Sequence, residues 1–361
     1  MLLSLRAVLI IFAICSTFGC TNLGPRVISK DRIDYNQTLL LSDAKQILFN
    51  IVRSRYLESN YFLKISNITG QYALGVNTGS RGNWFFDNLG YHTQTYQGEL
   101  GVGYRDAPTI SYIPLESSGF VKLVLQPITL NELYLMSYGD TKEISALMRL
   151  VIKRMGNVIN IGDASFPDST TIPHYTEFSH LIYLVRSLRL KNQVGFYYVK
   201  KDKHYSLYFT PDGVYTPEAR EIRQLLRISG TPQEIILTEE FPPTQKNAVF
   251  IQTRSVLGII SMLSHSVLVP DEHKRKGLVE ITRDKDLREF DWSRIMCSMM
   301  TIYSSKEAPS NAYVSIYYQG YFFFVKNSDR RSKLTLAIIQ QFISMKGTYE
   351  SSGPQLTLPL N

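Results

Sequence analysis

Short apolar runs of strand length alternate along this chain with longer stretches whose apolar residues recur at helical spacing. That alternation confines the fold to a mixture of strands and helices. The segments 312–318 and 321–325 flank Gln319-Gly320, a tight hairpin signal. Residues 331–345 then place Leu334, Ile338 and Phe342 on one helical stripe. The order strand, strand, helix recurs over 234–266, with strands at 234–238 and 248–252 and a helix at 254–266. The pattern predicts an α+β fold of mixed strand hairpins packed with helices, with a repeated strand-strand-helix unit. No apolar run approaches the ~20 residues of a membrane-spanning helix, which excludes a polytopic membrane protein.

The remaining elements follow from the same two periods. A helix is expected over 42–56, with Ser42 as its cap and Ala44, Ile47, Leu48, Ile51 and Val52 as its apolar face. A strand is expected at 61–68. Between Gly70 and Gly103 alternating apolar residues and many glycines predict a hairpin of 71–76 with 95–104 around a mobile loop, 77–90. That loop carries Trp84, Phe85 and Phe86, which either contact a partner or fold back onto the core. Residues 120–125 suggest a buried strand, and 130–137 and 142–155 suggest helices. Further helices are expected at 177–190 and 217–228, a hairpin at 194–199 with 205–209, and a strand at 296–303. The polar stretch 162–173 marks a boundary between an N-terminal α+β domain, 37–165, and a C-terminal one, 174–361.

The first nineteen residues have the form of an export signal: Arg6 precedes the apolar run 7–14, which is too short to span a bilayer. Thr17-Phe18-Gly19-Cys20 resembles the lipobox of bacterial lipoproteins, with Thr17 where Leu is usual. The same residues also fit an ordinary signal peptide. The resemblance implies cleavage before Cys20 and acylation of its thiol, and acyl chains hold a protein on a membrane. Thr21, where a sorting Asp would stand, implies the outer membrane, periplasmic face. Residues 21–36, with Gly24-Pro25, read as a tether. With Cys20 acylated, Cys297 is left unpaired and is expected to be buried as a small apolar residue. With Cys20 bare, a Cys20–Cys297 bridge becomes possible.

Loss of the leader removes Arg6 and takes the formal charge from +8 to +7. The basic clusters Lys200–Lys203, His273–Lys276 and Arg330–Lys333 are expected to be solvated turn and helix-start charges. Export also argues against a nucleic-acid partner.

Catalytic patterns are weak. His174 and His180 fall on different helical faces, and there is no His-Glu-x-x-His. Ser42-Asp-Ala-Lys45 has the spacing of a transpeptidase Ser-x-x-Lys but lacks its companion motifs; Lys346-Gly347-Thr348 has the wrong order. The glycines of 98–103 precede no helix, so they do not make a phosphate loop. Glu239-Glu240 and Asp284 with Asp286 are the acid pairs a glycan hydrolase would need. No cofactor and no metal is expected.

Three segments resemble one family: Ile251-Gln-Thr-Arg-Ser-Val256; Val269-Pro270 with His273 and Gly277; and Tyr317-Tyr-Gln-Gly-Tyr-Phe-Phe-Phe-Val325 through Asp329-Arg-Arg-Ser-Lys333. Asp34-Tyr35-Asn36 and Arg53-Ser-Arg-Tyr56 fit the same group, a broad set of proteobacterial envelope lipoproteins of uncharacterised function. The resemblance implies an envelope location and no established activity. Its members suggest, by analogy, an accessory part of an envelope or secretion assembly. With 23 Tyr and 18 Phe in the chain, the expectation is a non-enzymatic interaction protein anchored through Cys20. Partner contacts are expected at Trp84, Phe85 and Phe86, and at Tyr317, Tyr321 and Phe323. The alternative is a peptidoglycan-acting enzyme or glycan-binding lipoprotein.

Overall fold

The computed structural model describes residues 23–69, 72–86, 92–106, 109–114, 122, 124–138, 144–161, 175–284, 286–346 and 356–359. Cys20 and the polar boundary 162–173 lie outside them. The elements run in the order α1 (Leu23–Arg55), β1 (Leu63–Thr69), β2 (Tyr72–Phe86), β3 (His92–Asp106) and β4 (Thr109–Pro114). Next come α2 (Leu130–Ser137), α3 (Ile144–Val151), β5 (Ile152–Met155), β6 (Val158–Ile159) and α4 (Thr176–Leu190). The chain continues with β7 (Val194–Val199), β8 (His204–Phe209), α5 (Pro217–Leu225), β9 (Glu234–Thr238) and β10 (Ala248–Thr253). It closes with α6 (Val256–Leu263), α7 (Asp271–Arg275), α8 (Ser293–Met296), β11 (Tyr303–Ser305), β12 (Ala312–Tyr318), β13 (Tyr321–Lys326), α9 (Arg330–Lys346) and β14 (Leu356–Pro359). The fold is α+β, with strand hairpins interspersed among helices.

The largest sheet has six strands in the order β6-β5-β10-β9-β8-β7. All its pairs are antiparallel except β9 with β10. Its strands come from both expected domains, since β5 pairs with β10. One apolar core joins Ile47 and Leu48 of α1 to Leu181 of α4, Leu237 of β9 and Phe342 of α9. A shared ladder and a shared core thus tie residues on the two sides of the expected boundary together.

The helix expected at 42–56 begins instead at Leu23. Pro25 falls in its first turn, where no intrahelical N–H is required. The stretch from Leu23 to Asn36 is thus helix and not an irregular tether, and Ser42 is an exposed mid-helix residue and not a cap. The predicted face holds: Ala44, Ile47, Leu48, Ile51 and Val52 are all buried.

Other corrections have local causes. The loop expected over 77–90 is strand as far as Phe86, paired residue for residue with β3 from Tyr72↔Asp106 to Phe86↔His92. A complete ladder offsets the entropic cost of strand glycines there. Residues 122 and 124–125 are helical, not strand. The helix expected to reach Met155 stops at Val151, where Ile152–Met155 join the large sheet. The strand expected at 296–303 is the end of α8 followed by β11. Ile295, Met296, Met299 and Met300 take the buried positions, so Cys297 is left exposed, contrary to expectation.

The two strand-strand-helix units keep their order but differ in pairing. β9 and β10 are parallel, whereas β12 and β13 are antiparallel. The second pair turns through Gln319 and Gly320, both at positive φ, the geometry of a two-residue hairpin turn. It forms a three-stranded sheet in the order β11-β13-β12, and α1 packs against β12.

Candidate functional site

The end of α1, the helix α7 and the β12–β13 hairpin meet around His273. The hydroxyl of Tyr56 lies 2.6 Å from Nδ1 of His273, with both residues buried. The Tyr56 ring stands edge-on to Tyr318 at 5.3 Å and to Phe323 at 6.2 Å. Tyr321 meets the imidazole edge-on at 4.9 Å. Two carboxylates close the rim. Glu58 accepts from the Tyr318 hydroxyl and, at 3.1 Å, from Arg53 Nε. Glu272 accepts from the Tyr321 hydroxyl at 3.0 Å and from Lys276 Nζ at 2.7 Å.

Burial and charge set the protonation states. Burial raises the Tyr56 phenol, and Tyr318 beside it adds to the effect. Burial lowers His273, against the opposing pull of Glu272 and of a hydrogen bond to the Gln319 backbone. The Lys276 ammonium, with the Tyr321 hydroxyl, holds the Glu272 carboxyl down at about 2. Tyr318 is raised by burial and by its bond to Glu58. At neutral pH the central pair is an uncharged phenol donating to an uncharged imidazole. His273 is 3% exposed, and the pair joins three segments of the chain. The segments meeting here are Arg53–Tyr56, Val269–Gly277 and Tyr317–Val325.

The hairpin sorts its expected contact residues onto two faces. Phe323 is fully buried, and Tyr321 turns inward to His273 and Glu272. Tyr317 is 63% exposed on the opposite face. It pairs with Phe322, their rings 4.9 Å apart. On the same face Tyr303 stacks on Phe324 at 5.8 Å, and the Lys326 ammonium sits 3.9 Å from the Tyr303 ring centre. Strand alternation produces this division: neighbours in β13 point to opposite sides. Trp84, Phe85 and Phe86 lie in β2, opposite Gln94, Thr93 and His92, far along the other hairpin.

The residues considered for catalysis, and the remaining described histidines, are held elsewhere. His180 meets Glu221 and His204 meets Glu234, each at 2.7 Å. His265 stacks on Trp292 at 3.9 Å. His174 lies outside the described residues, and among those described no group of His, Cys, Asp and Glu could hold a metal ion. Glu239 accepts from the Leu130 backbone N–H at 2.8 Å, and Asp284 from those of Asp286 and Arg288 at 2.9 Å. These acids organise helix and loop termini. Lys346 is a buried partner of Glu132 at 2.8 Å.

Two features have no counterpart in the expectations drawn from the sequence. One is the wiring of Arg254. It is buried and donates to the carbonyls of Leu150 at 3.3 Å and Ile152 at 2.8 Å, and to that of Asn160. Burial lowers its guanidinium to about 10. The other is a basic groove between α3, α4 and α9. Comparison of the chain with protein families, with curated proteins and with solved structures finds no match.

Proposed function

We propose that this protein is a lipid-anchored component of the outer membrane, on its periplasmic face, that binds other envelope proteins. Cys20 within its lipobox-like sequence supports the anchor. The outer face of the β11–β13–β12 sheet supports the binding role, and the exposure of Tyr317 above Phe322 is the observation that carries it. Exposed large aromatics on a regular strand cost solubility and contribute little to the fold, whereas aromatic side chains supply much of the binding energy at interfaces. Lys326 over Tyr303 gives this face a positive edge. The partner it fits is an envelope protein presenting an acidic segment with apolar side chains.

Two measurements test the reading. Intact mass of the mature chain should show a diacyl or triacyl mass on Cys20; a bare thiol overturns the anchor. Crosslinking in intact envelopes should recover a partner from the parent chain and lose it with Tyr317→Ala. Recovery of monomer alone, or recovery unchanged by the substitution, overturns the binding role. Retention on peptidoglycan without a protein partner would support a glycan-binding lipoprotein instead.

A further inference from the structure

A second surface, away from the aromatic sheet, gathers four arginines. Arg149 of α3, Arg186 of α4, and Arg330 and Arg331 at the start of α9 line one open groove of about 580 Å3. Tyr183 and Leu334 supply an apolar wall over the buried Ile182 and Met299, and Ser145 and Ser298 border it. No Asp or Glu lines the groove among the described residues, and none of the four arginines is in an ion pair there.

Their present bonds are weak and neutral. Arg149 Nη1 donates to Ser179 Oγ at 3.4 Å and Ser298 Oγ at 3.5 Å. Arg331 Nη1 donates to the Cys297 carbonyl at 3.3 Å. The nearest carboxylate in sequence is already engaged: Asp329 Oδ1 accepts from the backbone N–H of Arg331 and Ser332, each at 3.1 Å. Burial lowers the Arg149 guanidinium, and the like charges of Arg186 and Arg331 lower it further.

This arrangement runs against folding preferences. Asp329 caps α9 and offsets part of its dipole, but Arg330 and Arg331 still sit at that positive end, where cations are disfavoured. Converging like charges repel as well. Such a conflict between local electrostatics and stability is expected at a ligand site. Guanidinium groups match the oxygens of a phosphate in bidentate fashion, and several together suit a multiply charged anion. The groove is larger than one phosphate, and its apolar wall would take an organic substituent.

We propose that the groove binds a phosphate ester, with the phosphate held among Arg149, Arg186, Arg330 and Arg331 and the organic part against Tyr183 and Leu334. The ester can come from a lipid headgroup or from a soluble metabolite. The inference is independent of the partner reading above, because it concerns a different face.

The test uses the Cys20→Ser chain, which cannot be acylated, so that vesicle binding reports on the groove. Glycerol 3-phosphate is titrated in a calorimeter. Vesicles of phosphatidylglycerol, with phosphatidylcholine as control, are co-sedimented. Saturable binding of glycerol 3-phosphate assigns a soluble ligand; selective binding of phosphatidylglycerol vesicles assigns a headgroup. In either case Arg186→Gln with Arg330→Gln should weaken binding at least about tenfold, the worth of one charge-assisted hydrogen bond. Both side chains are exposed, and an unchanged melting midpoint confirms the fold. Arg186→Gln alone gives a milder loss in the same direction. Absence of binding by both probes overturns the proposal, as does equal binding by the double Gln variant.

Discussion

The phenol of Tyr56 and the imidazole of His273 share a 2.6 Å hydrogen bond across 217 residues of chain. This single contact joins the end of the longest described helix to α7. Both partners are buried, so neither can exchange its bond for one with water. Tyr56→Phe keeps the ring contacts with Tyr318 and Phe323 and removes only the hydroxyl. It should destabilise the protein by about 1–3 kcal/mol, the cost of leaving a buried polar group unpaired. Urea unfolding of parent and variant measures the difference; equal midpoints would show that the bond contributes nothing.

The same pair makes stability depend on pH. Burial holds folded His273 below its ordinary value of 6.5. As pH falls, the unfolded chain takes up this proton first. The stabilisation from neutral His273 is fully present above 6.5 and is lost as pH drops through the depressed folded value. Of the groups facing the ring, Tyr56 is raised and Glu272 is lowered, so neither shares this window. Glu272 acts lower, its contribution being present above 4.5 and lost toward about 2. Between about pH 7.5 and 5.5 the parent should lose more stability than His273→Gln. A steeper loss in the variant would reverse the sign and refute the assignment.

Arg254 offers a third test. Its guanidinium satisfies carbonyls at the end of α3 and at Asn160, inside the core. Arg254→Met fills much of the space and leaves those acceptors bare. The expected loss is roughly 3 kcal/mol or more, read as a lower melting midpoint. Arg254→Lys should recover little, because one ammonium cannot span the same set of carbonyls. Full recovery by Lys would show that charge alone suffices.

Legibility in the sequence followed the range of the interaction. The face of α1 from Ala44 to Val52 was readable because its period is local, and so was the β12–β13 hairpin, because Gln319-Gly320 fixes its turn. The end of α3 was not. Ile152–Met155 continue an apolar pattern that suits helix or strand, and only pairing with β10 decides between them. The run 296–303 failed likewise: Met296 ends a short helix, and Met299 and Met300 are buried just beyond it. The meeting of Tyr56 with His273 left no local trace, because the two residues stand 217 apart in the chain. The arginine groove draws on α3, α4 and α9. Each arginine alone looks like a solvated charge, and only the fold brings the four together.

The β12–β13 hairpin separates contact from core most sharply. Tyr317 and Phe323 lie in adjacent strands on opposite faces, one mostly in solvent and one wholly buried. Phe323→Ala removes a ring packed against Tyr56 and should cost about 3–5 kcal/mol, lowering the melting midpoint and any partner recovery together. Tyr317→Ala removes a ring in contact with Phe322 alone among described aromatic rings. Its effect on stability should stay within about 0.5 kcal/mol, while partner recovery falls. Melting curves and crosslinking on the two variants, run side by side, distinguish the roles. A large drop in melting midpoint for Tyr317→Ala would make the outer face a structural layer and remove the basis for placing a partner there.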